Sequence, residues 1–533
     1  GLEIALRPPH PVLTEHAWLH PPSGGKLLLR GTLLGASGAL EAVLRRRGSG
    51  DQHVIPVRTE GERFTIEADV GAMPSFGEAL PLRNGVWDIF VRHEGHAGQV
   101  PPMVRVKYDH ARLADITEQQ VEIGPKVYRL RTAGYDEPVI SVQPRLRPSE
   151  QGQFNQRVLR RAYYPLKLRA PMRDAIVFVS WKGKQCADNP RAIADELRRR
   201  GDDREHIWIV QDWSAAVPEG SSPVLYGTEE YYDALARARY LIGNDDMQPP
   251  YRKRDGQFYL QTWHGTPLKR IGFDIERPQF ISGAAYFDRL AEDVAKWDLL
   301  ISPNPFSTPI MRRAFRYEGE ICESGYPRND LLRRGDSAEV AARVRRRLGL
   351  PEGKRVVLYA PTWRDNQVYA SGQRYRFDLR LDLERARQAL GRDHVLLLRG
   401  HHHMADDVPP GAGGFVINVT AYPDISELYL VSDVLVTDYS SAMFDYAVTG
   451  RPMLFFTYDL AEYRDSLRGF YFDFEAEAPG PLIATSDEVL AAIRDIDAVA
   501  ARHAAAYQAF AAKFCPYDDG KAAARVCDRV FGS

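Results

Sequence analysis

The chain has 533 residues and a mass of 60.2 kDa, too long for one ordinary core and long enough for about three domains. With 70 basic against 71 acidic side chains the net charge is −1, which gives no electrostatic case for a nucleic-acid partner. A hydrophobic content of 44% and a charged content of 26% suit a soluble globular protein, and apolar runs such as Leu428 to Val436 are broken by Ser432 and Asp433, far short of the roughly 20 residues of a membrane span.

In chain order, Pro8, Pro9, His10 and Pro11 interrupt the start where an apolar leader would stand, so a cytoplasmic location is expected. Up to about residue 150 short runs rich in branched and aliphatic residues read as strands. These runs are Lys26 to Leu33, Leu40 to Arg46, Phe64 to Val70, Val86 to Val91, Val127 to Arg131 and Val139 to Val142. Turn clusters such as Arg47-Gly48-Ser49-Gly50-Asp51 separate them, and regular spacing of this kind predicts an antiparallel β-sandwich over 1–150. Nothing catalytic stands out there, and a spacer or docking role is expected.

Residues 151–171 differ. In QFNQRVLRRAYYPLKLR, Arg157, Arg160, Arg161, Lys167 and Arg169 interleave with Phe154, Val158, Leu159, Tyr163, Tyr164 and Leu166. A basic, aromatic, partly helical segment suits the surface of an anionic membrane, and it equally suits a linker helix packed on the next domain.

Beyond Asp174 strands alternate with helices. Ala175 to Ser180, His206 to Gln211, Tyr240 to Ile242 and Leu299 to Ser302 read as strands, with helices at Asn189 to Arg200 and Glu229 to Ala238. After a helix at Ser337 to Leu348, Pro351-Glu352-Gly353-Lys354 reads as a hinge. A second series follows at Val356 to Tyr359, Val395 to Leu398, Val434 to Thr437 and Met453 to Phe456. Two βα series joined by a short linker predict two doubly wound Rossmann-like domains, 172–350 and 351–533, facing a cleft in the GT-B manner. Helices at Asp487 to Phe510 and Gly520 to Phe531 are expected to close the second domain.

The unusual local sequences fall just after these strands. Trp263-His264-Gly265-Thr266-Pro267 exposes an imidazole on a turn, with Lys269 and Arg270 following; a lone histidine is otherwise most often structural. Leu398-Arg399-Gly400-His401-His402-His403 ends a strand with an arginine able to grip phosphate and histidines able to neutralise a leaving group. Adjacent histidines point apart and no second cluster has ligand spacing, so no metal is expected. Thr437-Asp438-Tyr439-Ser440-Ser441-Ala442-Met443-Phe444-Asp445 runs from strand to helix, where paired hydroxyls suit a diphosphate or serve as plain N-caps. Gly325-Tyr326-Pro327-Arg328-Asn329-Asp330 and Ala360-Pro361-Thr362-Trp363-Arg364-Asp365 add an arginine each. Cys186, Cys322, Cys515 and Cys527 are scattered, with no paired spacing, as reduced buried thiols would be.

These loops, with Lys184-Gln185-Cys186-Ala187-Asp188-Asn189-Pro190 upstream and Arg468-Gly469-Phe470-Tyr471-Phe472-Asp473 downstream, resemble the CDP-glycerol glycerophosphotransferase (teichoic acid polymerase) family over roughly residues 172 to 530. The W-H-G-T-P-L-K and T-D-Y-S-S-x-x-x-D strings are its specific marks. The resemblance implies that His264 is the base on the acceptor hydroxyl. It implies donor contacts at Gly265, Thr266, Pro267, Leu268, Arg328, Pro361, Thr362, Arg399, Gly400, His401, Ser440, Ser441 and Asp445. His402 and His403 depart from the family pattern, and His401, next after Arg399-Gly400, is taken as the active one. The residues before 150 lie outside the resemblance.

The expected activity is transfer of glycerol phosphate, or a related polyol phosphate, from CDP-glycerol or CDP-ribitol to the hydroxyl end of a lipid-linked teichoic-acid-like or capsule polymer. CMP would be released, with no cofactor; the enzyme is expected in the cytoplasm or peripheral on the inner face of the membrane. A GT-B glycosyltransferase using a nucleotide sugar, and a silent polymer-binding scaffold, are the rivals; fold alone does not separate them.

Overall fold

The computed structural model describes residues 10–19, 25–34, 38–49, 51–93, 103–109, 118–247, 249–276, 286–362, 379–400, 414–462 and 469–532. Contacts group the chain into two units, one formed mainly by the first 145 residues and the other beginning at Leu146.

In the first unit, alternation of apolar and polar residues produces long antiparallel ladders. Lys26–Thr32 pairs with Val12–Leu19 and Arg63–Asp69, and Gly85–His93 pairs with Leu40–Arg46 and Glu137–Pro144. Eleven of the thirteen strands described in this unit form one hydrogen-bonded sheet and Met73–Ser75 pairs with Glu78–Leu80 apart from it, where the sequence alone suggested two stacked sheets. Alternation specifies which face turns inward, but it does not specify where a ladder breaks. The sheet curls over a core containing Leu29, Phe64, Ile66, Trp87, Tyr128 and Ile140, and Trp18 from one side meets Tyr128 from the other at 6.4 Å.

The second unit holds two parallel sheets. The first has seven strands in the order Ser222–Leu225, Glu205–Val210, Arg173–Val179, Ala238–Gly243, Phe258–Gln261, Leu299–Ser302 and Glu320–Glu323. The second has six, ordered Val416–Asn418, His394–Leu398, Arg355–Tyr359, Val434–Thr437, Met453–Phe456 and Leu482–Ile483. Their central strands are buried along the apolar runs, Ala175 to Val179, His394–Leu398 and Val434–Thr437, as sheets covered on both faces require. Chain order reverses beside Arg173–Val179 in the first sheet and beside Arg355–Tyr359 in the second. Such switch points leave crevices beyond the carboxyl ends of the strands.

Two helical expectations change. The single helix expected at Asp487 to Phe510 is two, Ser486–Arg494 and Ile496–Phe514, separated at Asp495. The last helix, Ala522–Phe531, does not close the second sheet. It returns to the layer of the first, where Arg200 donates to Asp528 (2.6 Å) and Arg529 pairs with Glu320. Its first turn is held by Asp330, whose carboxylate accepts from the Ala522 and Ala523 amides at 2.9 and 2.8 Å. An apolar stripe specifies that a helix is buried on one side, not which layer covers it.

The basic segment is helical from Gly152 to Lys167, with a π-turn at Leu159–Tyr163. Leu159 and Tyr164 enter the core under the first sheet, while Phe154 and Leu166 stay 70% and 64% exposed. Among the described residues no helix is long and apolar enough to cross a membrane.

Candidate active site

The strand Phe258–Gln261 ends in a turn that forces Trp263 to φ +53, a conformation that bulky residues adopt only under constraint. The constraint is visible. Gln261 Oε1 accepts from the Trp263 amide at 2.9 Å, and the buried Asn189 side chain donates to the Trp263 carbonyl at 3.2 Å. This places His264 half-buried beyond the strand end, with Nδ1 2.6 Å from the Asn244 carbonyl. A carbonyl only accepts, so Nδ1 carries the proton and Nε2 is the basic nitrogen.

Gly265 follows at a close approach between the two sheets. A Cβ there would lie 2.9 Å from Ser441 Oγ and 3.1 Å from Ser441 Cβ, so glycine lets the His264 turn rest on the Ser440–Ser441 loop without Ser441 having to shift. Thr266, Pro267 and Leu268 are buried, and the segment Gly469 to Tyr471 crosses beside them. The Tyr471 amide donates to the Leu268 carbonyl (2.8 Å), and the Arg270 amide to the Gly469 carbonyl (3.3 Å).

On the second sheet, Ser440 and Ser441 sit half-exposed where Val434–Thr437 gives way to the short helix Ala442–Ala447. Ser440 Oγ accepts from the Ala442 amide at 3.3 Å. Pro361 and Thr362 lie at the end of the neighbouring strand, where the Thr362 amide donates to both oxygens of Asp438 (2.9 and 3.1 Å). Arg399 ends His394–Leu398; its Nη1 donates to the carbonyls of Val419 (3.2 Å) and Tyr422 (2.8 Å), and the Gly400 amide donates to Thr420 Oγ1. Nearby, burial and then the charge of Glu427 push Asp424 up to about 6.

Arg328 and Asp445, both expected to face the donor, face each other. Arg328 Nη2 donates to both Asp445 oxygens (3.1 and 2.8 Å), Nε donates to one of them (3.2 Å), and Nη1 donates to Asp188 (3.0 Å). Asn329 donates to Asp445 (3.2 Å) and to Asp518 (3.0 Å), and burial pushes Asp518 up to about 7. This buried cluster ties the loop after the first sheet to the helix after a strand of the second.

His264, Gly265 and Ser441 thus come together, and Arg399 and Thr362 stand at the ends of second-sheet strands. His401, with His402, His403 and Trp363 to Asp365, lies outside the described residues. Sequence reasoning missed Asn244 and Trp181. Trp181 packs on His264 at 5.0 Å and Trp263 stacks on it at 4.2 Å. The only signal for Trp181 was its position at a strand end ahead of the Lys184 to Pro190 motif.

The sequence profile of the CDP-Glycerol:Poly(glycerophosphate) glycerophosphotransferase family matches residues 162–532. The chain belongs to this family. A teichoic acid poly(glycerol phosphate) polymerase of Bacillus subtilis (strain 168) is 42% identical over 377 residues, covering 70% of this chain and 50% of the relative. A teichoic acid glycerol-phosphate transferase of Staphylococcus aureus (strain NCTC 8325 / PS 47) is 40% identical, covering 69% of this chain and 95% of the relative. The chain therefore spans about half the length of the Bacillus relative and nearly all of the Staphylococcus one. Among solved structures, a histidine-to-asparagine variant of the wall teichoic acid polymerase TagF with CDPG matches with a TM-score of 0.65 and 33% identity, covering 71% of this chain and 98% of that one.

Proposed function

We propose that this protein transfers glycerol phosphate from CDP-glycerol to the hydroxyl end of a teichoic-acid-like polymer and releases CMP. The observation that carries the reading is the His264 imidazole, whose Nδ1 proton is committed to Asn244 and whose turn touches the Ser441 loop of the opposite sheet. In a GT-B arrangement the domain 172–350 presents the acceptor and the domain 351–533 holds the donor. Nε2 of His264 takes the proton of the acceptor hydroxyl. That oxygen attacks the phosphorus bearing the glycerol, the new O–P bond forms, and the bond to the CMP phosphate oxygen breaks with its electron pair going to CMP. Positioning and a preorganised positive field do most of the work in such a transfer.

Ser440, Ser441, Arg399 and His401 are the groups assigned to the diphosphate, with Gly265 to Leu268, Pro361, Thr362 and Gly400 shaping its bed. Arg328 and Asp445 hold the two sides together beneath it. The exposed Phe154 and Leu166, among Arg157, Arg160 and Arg161, suit contact with an anionic membrane carrying a lipid-linked acceptor. The sheet-rich region before residue 145 serves as an accessory module.

The test is CMP release by the purified chain with CDP-glycerol and a glycerol-phosphate acceptor, with the product weighed by mass spectrometry. His264→Ala is expected to lower turnover by about 10²–10⁴, the range for loss of a general base, with donor affinity little changed. Full turnover by His264→Ala, or consumption of UDP-sugars in place of CDP-glycerol, overturns the reading.

A further inference from the structure

Two tryptophans grip the His264 imidazole, and both have left-handed backbones. Trp263 (φ +53) stacks on the ring at 4.2 Å and 26°, and Trp181 (φ +49) packs on it at 5.0 Å and 48°. Trp181 opens a tight turn after Arg173–Val179, and the next residue, Lys182, is also left-handed at φ +58. Two successive non-glycine residues in that region crowd Cβ against the following carbonyl and are strained. The surroundings must therefore hold the turn.

They do so through Asn244, fully buried at the end of the adjacent strand Ala238–Gly243. Asn244 Oδ1 accepts from the Trp181 amide at 2.8 Å, while its main-chain carbonyl accepts from His264 Nδ1 at 2.6 Å. One residue thus fixes both the ring nitrogen and the indole that covers the ring. Lys182 ties the same turn to the same loop through Asp246 (2.5 Å) and Asp245 (3.5 Å). The turn also reaches the second sheet. With its amide oriented to satisfy both neighbours, Gln185 accepts from Trp181 Nε1 at 3.0 Å and donates to the Pro423 carbonyl at 2.8 Å.

We infer that Trp181 and Asn244 are positioning residues for His264: the main-chain carbonyl of Asn244 sets the tautomer that leaves Nε2 basic, its side chain holds the Trp181 turn, and Trp181 holds the ring plane and links its placement to the second sheet through Gln185. The inference rests on reading His264 as the base. Its physical content is that the imidazole has one available rotation and one neutral tautomer before substrate arrives. A misplacement of about 1 Å at such a site costs about 10²-fold in rate.

The experiment uses the full chain labelled with ¹⁵N-histidine, the His264 resonances being assigned by their loss in His264→Ala. Long-range ¹H–¹⁵N spectra report the tautomer, and CMP release from CDP-glycerol reports the rate. Wild type is expected to show a protonated Nδ1 and an acceptor-type Nε2. Trp181→Ala and Asn244→Ala both keep the main-chain carbonyl of residue 244, so Nδ1 is expected to stay protonated while the His264 ring resonances shift and broaden, and kcat is expected to fall by about 10–10²-fold with the KM for CDP-glycerol within about threefold. Trp181→Phe, which keeps a ring on the imidazole, is expected to recover most of the rate and the wild-type spectrum. Far-ultraviolet circular dichroism and the thermal midpoint identify a variant that fails to fold; for such a variant the Trp181→Phe spectrum and rate decide. A wild-type ring spectrum and a wild-type rate in both Trp181→Ala and Asn244→Ala, with His264→Ala inactive, overturn the positioning role alone. A fully active His264→Ala overturns the base reading instead, and the tautomer spectra then stand as a separate result.

Discussion

Replacing Arg328 with methionine removes a guanidinium from among carboxylates that do not move with it. In the native protein its side chain is 5% exposed, and those of Asp188 and Asp445 are 10% and 7% exposed. Four hydrogen bonds run from Arg328 to these two carboxylates, and Asn329 connects Asp445 to Asp518. Methionine fills much of the volume but leaves Asp188 and Asp445 buried and uncompensated. Breaking a buried pair in this way costs about 3–5 kcal/mol. The stranded Asp445 carboxylate, already raised by burial, can relieve part of this by taking up a proton, so its pKa rises further in the variant. The native variant then binds protons that its unfolded chain does not, and its stability falls as pH rises. Urea denaturation of Arg328→Met is therefore expected to show the larger loss at pH 8 and a smaller one at pH 5.5. Adding Asp445→Asn should recover part of the loss at pH 8, because one stranded charge is gone. A loss below about 1 kcal/mol at pH 8, or the same loss at both pH values, refutes the reasoning. Unchanged stability with a raised KM for CDP-glycerol would make Arg328 a donor contact in place of a bridge between the sheets.

Gly265→Ala is expected to destabilise the protein by about 1–3 kcal/mol, the usual effect of overpacking, because the new methyl would lie 2.9 Å from Ser441 Oγ. Thermal midpoints check this, and Ser441→Gly in the same chain should restore most of the loss. Ser440→Ala combined with Ser441→Ala should weaken CDP-glycerol binding tenfold or more, since hydrogen bonds to charged groups contribute about 1.5–3 kcal/mol each. Unchanged affinity by calorimetry would remove the pair from the donor site. Asp518, raised to about 7 by burial, keeps a proton in the folded protein that the unfolded chain has lost above about 4. Its stabilising contribution is full below that value and is lost as pH rises through about 7. Asp518→Asn should flatten this part of the stability–pH curve, and an unaltered slope between pH 5 and 8 would count against it.

Much of this protein is legible in local sequence. Unbroken apolar runs such as Val434 to Thr437 mark strands buried on both faces, and each is followed by the loop that carries its polar residues. The strings around His264 and Ser440–Ser441 identify the family without any fold. Tertiary structure decided what those residues touch. His264 meets a carbonyl 20 residues earlier because Ala238–Gly243 and Phe258–Gln261 lie side by side in the sheet. Arg328, readable alone as a phosphate ligand, pairs with an aspartate 117 residues later. The last helix carries an apolar stripe that fits either sheet, and the carboxylate of Asp330 at its first turn holds it on the first. Periodicity records which side of an element is buried. The partner on that side depends on strand order and on long-range pairing of buried charge, and neither leaves a mark within a few residues of the chain.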